Sequence, residues 1–130
     1  MAIRIVRLGT PRVKDEGPRL GTVRRPPRGV RREDYASRDY YDQWLPLLSP
    51  SQPVVSRAMS RPWTDARWSS FANAYRREMR APAPRQMIEL LARLSHDVNF
   101  SVGCYCEDER RCHRSVLRGL LEQAGARLEK

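Results

Sequence analysis

No apolar run among these 130 residues approaches the roughly 20 needed to cross a bilayer, so an ordinary transmembrane helix is excluded. The opening Ile3-Arg4-Ile5-Val6-Arg7-Leu8 is broken by charge too early for the apolar segment of a secretory signal. The expected compartment is therefore the cytoplasm, with no membrane partner. Cysteine is scarce and oddly numbered: Cys104, Cys106 and Cys112 all fall in one short stretch. A secreted domain held by disulfides spreads an even number along the chain, so free thiols are expected here. Lysine is almost missing, because Lys14 and Lys130 are the only two among 25 cations. There are no internal repeats to suggest a solenoid.

What is present fits one small soluble domain, residues 1–130, at 40% apolar and 31% charged. A chain of this length typically buries about two-thirds of its unfolded surface, enough for one core. The formal charge is +10, and it is unevenly placed. Between Arg4 and Arg38 eleven cations meet only Asp15, Glu16, Glu33 and Asp34, a net of +7, while the remainder is close to balanced. A GC-rich genome favours arginine codons without any functional reason, and a solvated basic arm is a purely structural use of such a segment. A basic field also attracts phosphorylated or otherwise anionic ligands and, non-specifically, nucleic acid. Few aromatics interleave with Arg24, Arg25, Arg28, Arg31 and Arg32, so sequence-specific readout has no support.

Alternation of Ile3 and Ile5 with Arg4 predicts a strand over 2–8. A second, shorter strand is expected within 19–25, ended by Pro26-Pro27. Tyr40, Tyr41, Trp44, Leu45 and Leu48 recur at helical spacing, which predicts a short helix within 33–48 interrupted at Pro46. Ser49-Pro50-Ser51-Gln52-Pro53 reads as a turn. Thr64 is a suitable N-cap for a helix to Arg80 whose apolar face carries Trp68, Phe71, Tyr75 and Met79, read as core. Met87, Leu90, Leu91 and Leu94 predict the face of a helix over 84–94. A strand over 97–104 follows, then a charged loop, then a helix bearing Val116, Leu117, Leu120 and Leu121 and closed by Gly125. The expected class is α/β: a short, mostly parallel sheet flanked by helices.

The chemistry-bearing stretch is Cys-x-Cys-x5-Cys-His-Arg, Cys104 to Arg114, between the last predicted strand and the last predicted helix. That junction is where α/β proteins commonly bind ligands, and a helix start favours anions. Three readings compete with a plain structural role. Cys104, Cys106, Cys112 and His113 have the residue types of a zinc site, but the spacing is poor, since adjacent helical residues point about 100° apart; no cofactor is expected. Alternatively, Cys112 at a helix N-terminus beside Arg111, His113 and Arg114 is a candidate thiolate nucleophile, with His113 as proton shuttle. The Cys104-x5-Arg110 spacing resembles an oxyanion-wrapping loop, but its three carboxylates would repel the anion. The third reading is a non-covalent anion pocket in which Arg111 and Arg114 clamp phosphate or carboxylate.

Several of these segments together resemble the bacterial YeaO-like family of domains of unknown function. Gly17-Pro18-Arg19 stands where that family has an Asp-Gly-x-Arg turn, and Arg24-Arg25-Pro26-Pro27-Arg28-Gly29-Val30 is similar to its Asp-Arg-x-Trp-Pro-Arg-Gly-Ile segment. Phe71, Tyr75 and Glu78 match its Phe-x-x-x-Tyr-x-x-Glu helix, and Cys112-His113-Arg114 is similar to a signature of its longer relatives. The resemblance implies a compact α/β domain without an established reaction, with Arg24, Arg28 and the Cys112-His113-Arg114 corner facing one pocket. Val23 and Pro26 replace the acidic residue and the tryptophan of that pattern. If the acidic residue is a general base in the family, this chain lacks it. The expected function is an arginine-lined pocket for an anionic or phosphorylated ligand, with chemistry, where there is any, at Cys112 or His113. The competing class is a binding module for nucleic acid or a partner, using the basic N-terminal third.

Overall fold

The computed structural model describes residues 1–129. Four strands form one sheet in the order β1-β4-β2-β3: β1 Ile3–Arg7, β2 Arg19–Gly21, β3 Gln43–Trp44 and β4 Phe100–Cys104. Every pairing is parallel, where the sequence suggested mostly parallel. All five residues of β4 are buried, as expected of a strand with neighbours on both edges and cover on both faces. Phe100 and Val102 point to one face, into a core with Ile3, Tyr75, Met79, Ile88, Leu91, Val116, Leu117 and Leu121. Ser101 points to the other, where its hydroxyl donates to Glu16 at 2.8 Å.

Helices α1 Gln52–Met59, α2 Asp65–Met79, α3 Pro82–Leu94 and α4 His113–Gln123 complete the fold. The α2 boundary is as predicted, with the Thr64 hydroxyl accepting the Arg67 N–H at 3.1 Å. β4 and α4 are also where they were expected, although β4 begins only at Phe100 and not at Asp97; α4 is followed by Gly125 at φ 92°.

Three expectations are corrected. The segment 33–48 is not a helix: it holds short 3-10 turns at Arg32–Asp34 and Pro46–Leu48 around the two-residue β3. Asp39 takes φ 64°, outside the helical region, and its carbonyl accepts from Arg19 at 2.7 Å. Asp42 takes the Arg19 backbone N–H at 2.7 Å, and the Trp44 indole donates to Val23 O at 2.8 Å. These anchors outweigh the helical spacing of the aromatics. The expected turn at 49–53 is cut short, since Gln52 and Pro53 already open α1, where proline in a first helical turn gives up only an N–H that has no helical partner. On α3 the buried stripe is Pro84, Ile88, Leu91 and Ala92, and Leu90 and Leu94 are exposed.

Gly17 shows why the chain between β1 and β2 turns as it does. Its φ is 80°, and a Cβ there would collide with the Asn99 carbonyl. The turn delivers Arg19 to the sheet as a fully buried side chain, paired with Glu16 at 2.7 Å and also donating to Thr10 O and Asp39 O.

Candidate functional site

The site lies outside the carboxyl ends of β2 and β4, where the chain leaves β4 and returns as α4. Cys104 is the last residue of β4 and Cys112 is the N-cap of α4, both buried, while Cys106 sits exposed in the loop between them. Cys112 has φ −138° and ψ 149°, so it lies outside the helix and the 100° divergence of adjacent helical residues does not apply to it. Its Sγ is 2.6 Å from Cys104 Sγ, and the three sulfurs all lie within 4.8 Å of one another. Among the described residues this is the group of side chains placed to share a soft metal ion. His113 is outside that group.

His113 is buried edge-on against Tyr75, ring centroids 5.4 Å apart. Its Nε2 is 2.7 Å from the Thr22 carbonyl, an acceptor only, so Nε2 is the protonated nitrogen. The lone pair of the neutral ring is then on Nδ1, which lies 3.8 Å from Cys112 Sγ. The Thr22 hydroxyl in turn donates to Gly103 O at 3.0 Å, tying this carbonyl anchor to β4.

Arg114 is almost fully buried and donates to the Cys106 carbonyl at 2.6 Å. Its Nε has no partner, and no carboxylate among the described residues lies within ion-pair distance of it. A guanidinium does not give up its proton in a protein, and a buried charge needs an opposite one nearby. The groups beside it that can carry that charge are the cysteine sulfurs, which hold its proton in place although burial alone would loosen it. Donation by the Cys104 and Cys112 thiols, with the Arg114 charge added, holds the Cys106 thiol well below its ordinary range. Cys104 moves the other way, because it donates to Cys106 and Cys112 and is itself buried.

These sulfurs form the inner wall of a cleft of about 320 Å³. Val23, Val55, Met59, Trp63 and Phe71 make it mainly apolar, and Arg24, Arg25 and Arg111 supply cations. Two of those cations are tethered. Arg24 donates to Pro50 O at 3.1 Å and Pro46 O at 3.3 Å, and Arg111 pairs with Asp65 at 2.7 Å while donating to Thr64 O. Arg25 is exposed at the rim and has no side-chain partner among the described residues. Arg28 does not line this cleft; it lines an adjoining shallow depression with Pro26, Pro27 and Tyr40, which shares Arg25 and Tyr105 with the cleft. Arg114 stands behind the sulfurs and is not part of the cleft wall.

Of the sequence-predicted site residues, then, Cys104, Cys106, Cys112, His113, Arg24 and Arg111 meet at one cleft, Arg114 backs it, and Arg28 stands apart. Sequence reasoning missed the wall supplied by Val55, Met59 and Trp63, because α1 was not foreseen. It also placed Phe71 wholly in the core, whereas Phe71 packs edge-on with Trp63 at 5.6 Å and faces the cleft. Its companions in the same motif act as anchors: the Tyr75 hydroxyl donates to Leu48 O at 2.6 Å, and Glu78 accepts the Ser51 N–H at 2.9 Å. Together they fix the entry to α1, and so the wall opposite the sulfurs.

A family model described as the active DUF488-N3 subclade matches residues 3–125. The match identifies a domain-of-unknown-function family and does not carry the YeaO-like name. No curated protein and no solved structure matches the chain.

Proposed function

The chain belongs to the active DUF488-N3 subclade, and on that premise we propose that its cleft binds an anionic small molecule with an apolar body, which Cys106 attacks as a thiolate. The observation that carries this reading is Arg114, a buried guanidinium without a carboxylate, set against three clustered thiols. One thiolate shared among them satisfies the charge, and Cys106 is the exposed sulfur of the three. This moves the nucleophile from Cys112, the residue at the helix start, to Cys106, which faces solvent and the ligand.

Each neighbour has a distinct role in this reading. Trp63, Phe71, Val55 and Met59 take up the apolar body. Arg25 meets the anionic group, phosphate or carboxylate, at the rim. Arg24 and Arg111 shape the wall through their own tethers and add to the local positive potential. Arg114 keeps the thiolate charged and touches no ligand.

Alkylation of each cysteine against pH, read by mass spectrometry, tests the proposal. Cys106 should react first, at a rate that stays level through neutral pH. An ordinary thiol instead climbs toward its pKa of about 8.5. Arg114→Met should move the Cys106 profile upward in pH, and Arg25→Met should weaken ligand capture without altering that profile. An ordinary profile at Cys106 overturns the thiolate. Protection of all three cysteines that disappears with a chelator would instead indicate zinc on the three sulfurs.

A further inference from the structure

A single nucleophilic thiol does not account for the other two. Cys104 and Cys112 are buried in direct contact, 2.6 Å apart, and Cys106 is within 4.8 Å of both. Beside Cys112 stands His113, whose Nδ1 lone pair is directed by the Nε2–H···O bond to Thr22. The nucleophile thus has a second thiol within reach, and that second thiol has its own base.

We propose that Cys106 and Cys112 form a two-electron thiol–disulfide couple that reduces small anionic disulfides, with His113 as the base that activates Cys112. The proposal rests on the reading of Cys106 as nucleophile and names its substrate class. In the first step the Cys106 thiolate attacks one sulfur of RS–SR. The S–S bond breaks, RS⁻ leaves with the electron pair, and Cys106 carries a mixed disulfide. In the second step Cys112 gives its proton to His113 Nδ1 and its sulfur attacks Cys106 Sγ. The second RS⁻ leaves, and a Cys106–Cys112 disulfide remains. Substrate has gained two electrons and the cysteine pair has lost them; an external dithiol restores the pair by exchange.

The cleft wall selects sulfur over a peroxide oxygen. Across the cleft from the sulfurs the ligand meets Trp63, Phe71, Met59 and Val55, which suit a polarisable sulfur and an apolar substituent. A hydroperoxide needs hydrogen-bond donors at its two oxygens, but Arg114 lies behind the sulfurs, the His113 N–H is held by Thr22, Arg24 and Arg111 are tethered elsewhere, and Arg25 stands at the rim. Arg25 supplies the preference for a negative group.

The experiment uses 5,5′-dithiobis(2-nitrobenzoate), an aromatic, carboxylate-bearing disulfide, at one equivalent per full-length chain. Two nitrothiobenzoates should be released per chain, leaving an intramolecular Cys106–Cys112 disulfide and no adduct. Cys112→Ser should release one and retain a stable adduct on Cys106. His113→Gln, which keeps an amide donor for the Thr22 carbonyl, should leave the first release unchanged and slow the second; it serves if the buried serine variant fails to fold. A wild-type chain that releases one equivalent and keeps the adduct on Cys106 overturns the couple while leaving the nucleophile standing. First reaction at another cysteine overturns both. Faster oxidation of Cys106 by cumene hydroperoxide than by the disulfide overturns the substrate class.

Discussion

Two buried guanidiniums stand out at the scale of single residues, and they are balanced differently. Arg19 has a carboxylate: Glu16, buried with it at 2.7 Å and further held by the Ser101 hydroxyl and the Val13 N–H. Burial alone would raise the Glu16 pKa, but donation by Arg19, Ser101 and Val13 outweighs it and the value is lowered. Arg114 has only sulfur. Replacing Glu16 by Gln leaves the Arg19 charge buried without its partner and should cost about 3–5 kcal/mol in urea denaturation. The sign of the pH dependence follows from the lowered value. The contribution is fully present above the unfolded carboxyl pKa of about 4.3 and is lost as pH falls through the folded one. Wild-type stability should therefore fall in that acid window, and Glu16→Gln should show a shallower fall there. Equal slopes would mean that the pair contributes nothing to folding.

Among the elements, α1 lines most of the cleft, through Gln52, Val55, Ala58 and Met59, and α2, headed by Thr64, adds Phe71. Thr64→Ala removes the acceptor for the Arg67 N–H and should cost about 1 kcal/mol, read as a drop of roughly 4 °C in Tm. Arg111 should keep its contact, because it bonds the Thr64 backbone carbonyl and not the hydroxyl. Such a helix is legible in a sequence because cap and apolar stripe lie within one segment. The same holds for β4 and α4, and hence for the cysteine cluster they hold. Legibility fails where partners lie far along the chain. The aromatics of 33–48 are spaced as on a helix, but Arg19 and Val23 bind that segment into another shape. On α3 two apolar stripes coexist, and packing against α4 decides between Ile88 and Leu90. Trp63, some fifty residues before Cys112, joins the site only through tertiary structure.

At the scale of the whole molecule, the basic N-terminal third is less free than its net charge implies. Arg4, Arg7, Arg12, Arg19 and Arg31 pair with Glu129, Glu107, Asp42, Glu16 and Asp34. Arg24 is held by backbone carbonyls. Within 4–38 this leaves Lys14, Arg25, Arg28, Arg32 and Arg38 without an ion-pair partner among the described residues. Single-stranded nucleic acid releases counterions with a slope of about −0.7 per phosphate neutralised, so five free cations set a limit of about −3.5 for this segment. Binding of generic single-stranded DNA, followed against salt, should change when Arg25, Arg28 and Arg32 are replaced by Gln by no more than about two units of slope. On the proposal that a small ligand and not a strand fills the cleft, saturating DNA should also leave Cys106 alkylation at its unprotected rate. A wild-type slope well steeper than the limit, with the excess surviving in the triple variant, together with protection of Cys106, would mean that the paired arginines turn outward to phosphates. The cleft would then belong to a nucleic-acid interface, and Arg25 would meet a backbone phosphate where the present reading places the anionic group of a small disulfide.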